Sequence, residues 1–343
     1  MSTYLVTGGA GFIGSHLGES LMASGHRVIC LDSFSDSYDY RVKMRNVQQD
    51  SCRDSVAAIT GKKEALAELS RCLESERYRL ETVDIRDRAA LERIFQSEPI
   101  DAVVHLAALP GVRASIEQPL LFDDVNVRGT LLLLETMKKY GVRKWVCASS
   151  SSVYGNNKRI PFSENDSVDS PISLYAATKK SCELMGYTYH HLYGIDGMML
   201  RFFTVYGERQ RPDLAIHKFA KLIDQGSEVP FYGDGSTKRD YTYIGDIVGG
   251  IRGALEYAEN NESVYEVLNL GNSRMVSLGE MVECLEKELG KKAILRKLPA
   301  QPGDMTMTFA DIGKARRLIG YEPRTSFEDG IRNFARWHGG RTS

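Results

Sequence analysis

The chain has 343 residues, 44 Lys and Arg against 45 Asp and Glu, and 42% hydrophobic residues. That length buries a large core, as one large domain or two intimately shared ones, and the balanced charge gives no reason to expect nucleic acid or a membrane surface as partner. No apolar run approaches the roughly 20 residues of a membrane span, residues 1–7 read as a strand and not as a signal peptide, and the scattered cysteines, with no CxxC pair, fit reduced thiols in a cytoplasmic protein without a metal site.

In chain order, short β-branched runs alternate with amphipathic stretches. The pattern predicts strands at 4–6, 27–31, 79–83, 102–106 and 144–148, and helices that include 14–23 and 126–140. Such alternation predicts an α/β fold built on a doubly wound parallel sheet. The polar stretch 40–76, rich in Lys, Arg, Glu and Gln, reads as surface helices with no motif, a lid or a decoration. Beyond residues 200–203 the rhythm turns irregular. Gly and Pro punctuate 207–213 and 229–235, which read as loops over a site. The tail carries a strand signal at 293–295 and helix signals at 278–289 and 327–337. A smaller C-terminal substrate-binding portion fits this tail.

Directly after the first strand comes Thr7-Gly8-Gly9-Ala10-Gly11-Phe12-Ile13-Gly14. Gly9, Gly11 and Gly14 satisfy G-x-G-x-x-G; Gly8, Gly11 and Gly14 satisfy G-x-x-G-x-x-G. The glycines allow a tight turn and close backbone approach to a pyrophosphate, and the helix that follows offers free N–H groups and a positive dipole end. A lone glycine motif is weak evidence; here a strand precedes it and a helix follows. The second strand ends in Leu31-Asp32. A carboxylate there hydrogen-bonds adenosine ribose hydroxyls and repels a 2′-phosphate, which favours NAD over NADP. The plain alternative is a tight glycine turn followed by a strand-end aspartate.

Strand five runs into Ser149-Ser150-Ser151-Ser152-Val153-Tyr154-Gly155, and Tyr175-Ala176-Ala177-Thr178-Lys179 opens a later helix. Positions i and i+4 share one helix face, so Lys179 stands close to the Tyr175 hydroxyl. A free tyrosine, pKa ~10, is a poor base at neutral pH. A nearby ammonium favours the phenolate, and Tyr175 can then take a proton from a hydroxyl as hydride leaves the same carbon. A serine at the end of strand five can bind that oxygen. Y-x-x-x-K alone is mostly ordinary helix surface; its weight comes from lying downstream of the glycine loop and the serines. Tyr187, Tyr189, His190, His191, Tyr193 and His105 read as core or subunit-contact residues, and the paired histidines lack a third ligand.

Together these residues resemble the extended short-chain dehydrogenase/reductase superfamily, specifically its NAD-dependent nucleotide-sugar epimerases, over essentially the whole chain. The resemblance implies a Rossmann-type NAD-binding domain at 1–205 with 236–258, and a UDP-sugar-binding domain at 206–235 and 259–343. It implies cofactor contacts from Gly8, Gly11, Phe12, Ile13, Gly14, Asp32, Asp84, Ile85, Leu106, Ala107, Ala108, Asn126, Tyr175, Lys179, Phe202 and Val205. Ser150 aligns as the catalytic hydroxyl with Tyr175 and Lys179, with Ser149 or Ser151 as alternatives. Arg239 aligns with an arginine that meets the UDP phosphates.

Within that family, Arg211-Pro212-Asp213-Leu214-Ala215, Gly111-Val112-Arg113, Gly271-Asn272-Ser273-Arg274 and Gln301-Pro302-Gly303-Asp304 resemble UDP-glucuronate 4-epimerases. A uronate needs a donor for its carboxylate, and arginine supplies a bidentate fork. Arg211 is the first candidate and Thr204 the second donor, with Arg113, Arg274 and Asp304 as further substrate contacts. Sugar 4,6-dehydratases of the superfamily carry an Asp-Glu pair before Val-Tyr-Gly, and decarboxylating relatives a Glu; this chain has Ser151-Ser152. That favours plain epimerisation. Two departures stand out: 40–76 is long for the family, and Pro110 sits where some relatives place a cofactor-contacting lysine. The expected reaction is C4 epimerisation of UDP-glucuronate to UDP-galacturonate through a 4-keto sugar, in a homodimer assembled through the helices after Asn126 and Tyr175. The rivals are an epimerase of a neutral UDP-hexose or UDP-N-acetylhexosamine, a net-redox relative, and, in another class, a non-catalytic NAD-binding regulatory or scaffold protein.

Overall fold

The computed structural model describes residues 1–49, 52–299 and 307–342. Its main sheet has seven strands in the order β10-β6-β5-β4-β1-β2-β3. These are β1 (Thr3–Thr7), β2 (Arg27–Leu31), β3 (Tyr78–Glu81), β4 (Ala102–His105), β5 (Lys144–Ser150), β6 (Asp196–Phe202) and β10 (Tyr265–Leu270). The pairings of β1 with β2 and β4, of β2 with β3, and of β4 with β5 are all parallel. Near-continuous apolar strands such as β1 and β4 are fully buried, as a sheet covered on both faces requires.

Contacts divide the chain into two units. The first comprises residues 1–153, 173–200 and 251–267; the second comprises 154–172, 201–250 and 268–343. The first unit holds α1 (Phe12–Ala23), α2 (Tyr40–Val47), α3 (Arg53–Ala57), α4 (Lys62–Leu73), α5 (Arg88–Ser97), α6 (Val112–Glu117), α7 (Pro119–Phe122), α8 (Gly129–Tyr140) and α9 (Leu174–Tyr193). A core cluster of this unit joins Leu5, Ile29 and Val103 of the sheet to Leu91 and Ile94 of α5, Leu133, Leu134 and Met137 of α8, and Cys182 of α9. Leu133 and Leu134 therefore face the sheet, whereas Leu131 is 40% exposed.

The second unit holds α10 (Ala215–Asp224), α12 (Leu278–Leu289), α13 (Gly313–Ile319) and α14 (Phe327–Thr342); α11 (Ile244–Asn260) runs from it into the first. β7 (Thr204–Tyr206), β9 (Lys238–Tyr243) and β11 (Met275–Ser277) form a small sheet, and β8 (Glu228–Tyr232) pairs in parallel with β12 (Ile294–Leu298). Residues 229–232, expected as loop, are thus strand. Pro230 is tolerated because this strand belongs to a two-stranded ribbon, where both strands are edges.

The described residues of 40–76 carry α2, α3 and α4, helices as expected, but they are more than a surface decoration. Met44, Asn46, Leu66, Leu69 and Leu73 are buried. Asn46 Nδ2 donates to the Ala10 carbonyl at 3.1 Å, and Lys43 Nζ lies 2.8 Å from Asp32 Oδ1. The stretch therefore packs against the glycine loop.

β1, β4 and α8 are stitched by a buried chain of hydrogen bonds. Ala107 N donates to Thr7 Oγ1, which contacts His105 Nδ1 at 2.7 Å; His105 Nε2 contacts Thr130 Oγ1 at 2.9 Å, and Thr130 donates to the Asn126 carbonyl. Because the Thr130 proton goes to Asn126, Nε2 of His105 carries the imidazole proton and Nδ1 accepts from Thr7. Burial, helped by the Lys179 ammonium, pushes this imidazole down to about 3. The unfolded chain takes up a proton near pH 6.5 and the folded chain does not. This site's contribution to stability is therefore complete above pH 6.5 and is lost as the pH falls toward 3. Urea titrations should show this acid loss, at most about 1.4 kcal/mol per pH unit from one group, and His105→Gln should flatten it; an unchanged slope would contradict the buried neutral imidazole.

Candidate active site

The glycine loop joins β1 to α1. Gly8 lies at φ +69, and a Cβ there would sit 2.8 Å from Ala107 N, so only glycine lets the loop pack on the segment that follows β4. At Gly14 a Cβ would collide with the Gly8 carbonyl and the Gly9 Cα. The N-cap of α1, Gly11, has no side-chain cap, and its first turn has no acidic residue. Phe12 and Ile13 begin the helix, whose N–H groups and dipole suit an anion.

Asp32 follows β2 and is 4% exposed. Its Oδ1 accepts from Phe34 N and Lys43 Nζ, both at 2.8 Å, while Oδ2 is buried with no hydrogen-bond partner among the described residues. A buried acceptor of this kind matches a ribose hydroxyl. With the glycine cradle, it makes the first unit fit a dinucleotide. Lys43 was missed by sequence reasoning, since nothing in a polar stretch without a motif distinguishes it.

The remaining cofactor candidates are distributed as follows. Leu106, Ala107 and Ala108 follow β4 and are half-buried, and Ile85 is buried. Asp84 is engaged by Arg86, which also reaches Asp124 at 2.7 Å; the Arg86 hydrogen bond holds the Asp84 carboxyl below its ordinary range against burial. Asn126 lies in a π-helical turn, 123–128, ahead of α8. Its Oδ1 accepts from Leu109 N at 2.7 Å and its Nδ2 donates to the Leu109 carbonyl and Thr178 Oγ1, so its amide fixes the post-β4 segment against α9. In the second unit Phe202 ends β6 and Val205 lies in β7.

α9 begins at an N-cap, Ser173, whose Oγ accepts from Ala176 N. Tyr175 and Lys179 follow on one face. Tyr175 is half-buried and meets the Phe122 ring edge-on at 6.4 Å. Lys179 is 5% exposed, and its ammonium donates to the Ala148 carbonyl of β5 at 2.8 Å. The two serines at the end of β5 differ. Ser149 donates its proton to Glu183 Oε1 at 2.7 Å; Ser150 Oγ accepts from Ser152 N at 3.2 Å, which leaves its own O–H as a donor. Ser151 and Ser152 open a short 3₁₀ turn and bring no carboxyl group there.

In the second unit, β9 pairs in parallel with β7, placing Thr204 opposite Tyr241, and antiparallel with β11, placing Arg239 opposite Val276. Thr204, Arg239 and Arg274, which precedes β11, thus lie on neighbouring strands and their approaches. Buried Asp240 accepts from Asn272 N, Ser273 N and Ala310 N, fixing the loop that carries Arg274. Burial pushes the Asp240 carboxyl up to about 6, although the three N–H groups favour the ion. Arg274 reaches Glu328 at 3.5 Å. Arg211 makes a bidentate pair with Asp213 at 3.0 and 2.6 Å, so its fork already addresses a carboxylate. Burial raises the Asp213 carboxyl, but Arg211 outweighs it and holds the group below its ordinary range. Arg113, in α6 of the first unit, is exposed, and Asp304 lies outside the described residues.

Residues 5–334 match a family model described as GDP-mannose 4,6 dehydratase. The chain belongs to the GDP-mannose 4,6 dehydratase family. It is 42% identical over 338 residues to a UDP-glucuronate 4-epimerase of Thermodesulfobacterium geofontis, covering 98% of this chain and 96% of that one. Among solved structures in this family, the UDP-glucuronic acid 4-epimerase of Bacillus cereus, in complex with UDP-glucuronic acid and NAD, superposes with a TM-score of 0.84 at 34% identity and covers 99% of each chain. The UDP-glucose 4-epimerase of Thermotoga maritima with UDP-glucose gives 0.84 at 30% identity, covering 99% of this chain and 100% of that one. Among the described residues no helix is long and apolar enough to cross a membrane, and no cluster of three or more His, Cys, Asp or Glu could hold a metal ion.

The family's glycine loop is sterically closed to side chains at Gly14. Gly14→Ala should destabilise the fold by about 1–3 kcal/mol, the usual cost of overpacking. Urea unfolding of the purified variant measures this, and an unchanged midpoint would contradict the packing described.

Proposed function

We propose that this protein is an NAD-dependent UDP-sugar 4-epimerase that interconverts UDP-glucuronate and UDP-galacturonate. The observation that carries the chemistry is Tyr175 one helical turn from the buried ammonium of Lys179, on a helix packed against the serine end of β5. The first unit is read as the NAD-binding domain and the second as the UDP-sugar-binding domain. NAD, when bound, supplies a reversible hydride acceptor.

The chain's own residues do the rest. Gly8, Gly11 and Gly14 admit the pyrophosphate, and Asp32 Oδ2 takes a ribose hydroxyl. Lys179 places its ammonium one helical turn from the Tyr175 phenol. Tyr175 removes the C4 hydroxyl proton and later returns it, while Ser150 donates to the same oxygen. The 4-keto sugar turns over before reduction on its other face. For a uronate this intermediate is a β-keto acid, prone to losing carbon dioxide. Arg211 and Thr204 are assigned to clamp the carboxylate and keep its C–C bond out of the alignment that decarboxylation needs. Asp213 orients that arginine fork until the substrate carboxylate takes it over. The absence of a carboxyl at Ser151 and Ser152 leaves no acid there for water elimination.

A homodimer through α8 and α9 accounts for Leu131, Leu184 and Tyr187, apolar side chains that are 40%, 56% and 56% exposed on those helices. The six free cysteines fit a cytoplasmic setting.

Tyr175→Phe should abolish epimerisation of UDP-glucuronate while leaving the melting temperature unchanged; retained turnover would remove the proton-transfer assignment. Arg211→Ala should lose about 10- to 150-fold in kcat/KM for UDP-glucuronate, the equivalent of one charge-assisted hydrogen bond, and should lose far less for UDP-glucose. An equal loss on both sugars, or none, would remove the carboxylate role.

A further inference from the structure

Ser149 and Ser150 are adjacent, buried and chemically alike, being 3% and 8% exposed. Either could in principle donate to a sugar oxygen. Successive side chains of a strand point to opposite faces, so the two hydroxyls cannot serve the same spot. What separates them is Glu183. Tyr175, Lys179 and Glu183 repeat at i, i+4 and i+8 and so share one face of α9. Glu183 is 2% exposed, and its Oε1 accepts the Ser149 O–H at 2.7 Å. Lys180 Nζ stands 3.4 Å from Oε2, and Tyr265 of β10 donates to the Glu183 carbonyl at 2.6 Å, fixing that turn of the helix. A carboxylate this deeply buried is costly unless its hydrogen bonds are made. Its surroundings carry charge from both residues: the Cys147 and Cys182 thiols feel the Lys179 ammonium and the Glu183 carboxylate with opposite sign.

We propose that Glu183 is a positioning residue for the reaction: by taking the only proton of Ser149 it anchors the end of β5 to α9 and leaves Ser150 as the serine that donates to the substrate oxygen. This rests on the epimerase reading given above. Glu183, 2% exposed, is assigned no contact with substrate or cofactor. It acts through the strand, by fixing the residue next to the donor on one side while Ser152 N fixes Ser150 on the other. A shift of the strand end would misplace the Ser150 hydroxyl and so slow the chemical step more than binding.

The test uses the holoenzyme with UDP-glucuronate and four proteins: wild type, Glu183→Gln, Glu183→Leu and Ser149→Ala. Glu183→Leu removes the acceptor and should lower kcat about tenfold, the rate equivalent of one hydrogen bond, with KM nearly unchanged. Ser149→Ala cuts the same bond from its other end and should fall to a similar extent. Glu183→Gln keeps an acceptor oxygen for Ser149 and should recover most of the rate, which a residue needed only for its charge would not do. Wild-type kcat in Ser149→Ala, or a Gln variant as slow as the Leu variant, would overturn the proposal. If Glu183→Leu fails to fold, the Ser149→Ala and Glu183→Gln rates decide the matter by the same criteria. Wild-type inactivity on every UDP-sugar would overturn the epimerase reading together with this inference; an active wild type with unaffected variants overturns the inference alone.

Discussion

Lys179 carries its ammonium into the interior of the first unit, where it is 5% exposed and donates to the Ala148 carbonyl. Burying a cation costs several kcal/mol unless its surroundings satisfy it, and much of the local architecture follows from that requirement. β5 presents its Ala148 carbonyl to the ammonium two residues before the strand ends at Ser150. His105, on the neighbouring strand, is kept neutral by burial and by the Lys179 charge, while a hydrogen-bond relay through Thr7 and Thr130 fixes its tautomer. A carboxylate, Glu183, stands one turn along the helix. The phenol of Tyr175 lies one turn the other way. The cation is thus held in place by interactions that exist before any ligand arrives, which is what electrostatic activation of a phenol needs.

The glycine loop is constrained from two sides. Above it, the segment after β4 passes so close to Gly8 that a side chain is excluded, and Asn126 clamps that segment through Leu109. On the other side, α2 reaches Ala10 through Asn46 and Asp32 through Lys43. The 40–76 stretch therefore bears on the glycine loop and Asp32 of the first unit.

What could be read from sequence was what local spacing encodes. A strand, a glycine turn and a helix in succession, or Tyr175 and Lys179 four residues apart, are short-range patterns with one physical interpretation. Five of the seven main-sheet strands were legible for the same reason, because their apolar runs are short and bounded; β6 and β10, which lie in the irregular second half, were not. Pairings across the chain were not legible. Nothing local joins Ser149 to Glu183, 34 residues on, or Asn46 to Ala10, 36 residues back. The polar composition of 40–76 hid the apolar positions, such as Leu69 and Leu73, that bury it. Residues 229–232 looked like loop because Pro230 argues against a central strand, and they form an edge instead. The Arg211–Asp213 pair lies two residues apart, yet its bidentate geometry depends on the turn between them.

The central claim is that hydride leaves C4 of the sugar and returns to the same carbon without leaving the enzyme. UDP-glucuronate carrying deuterium at C4 tests this most directly. The product should be UDP-galacturonate with the deuterium retained at C4 and no carbon dioxide released. Loss of the label to solvent, or a decarboxylated UDP-pentose as the product, would contradict the account.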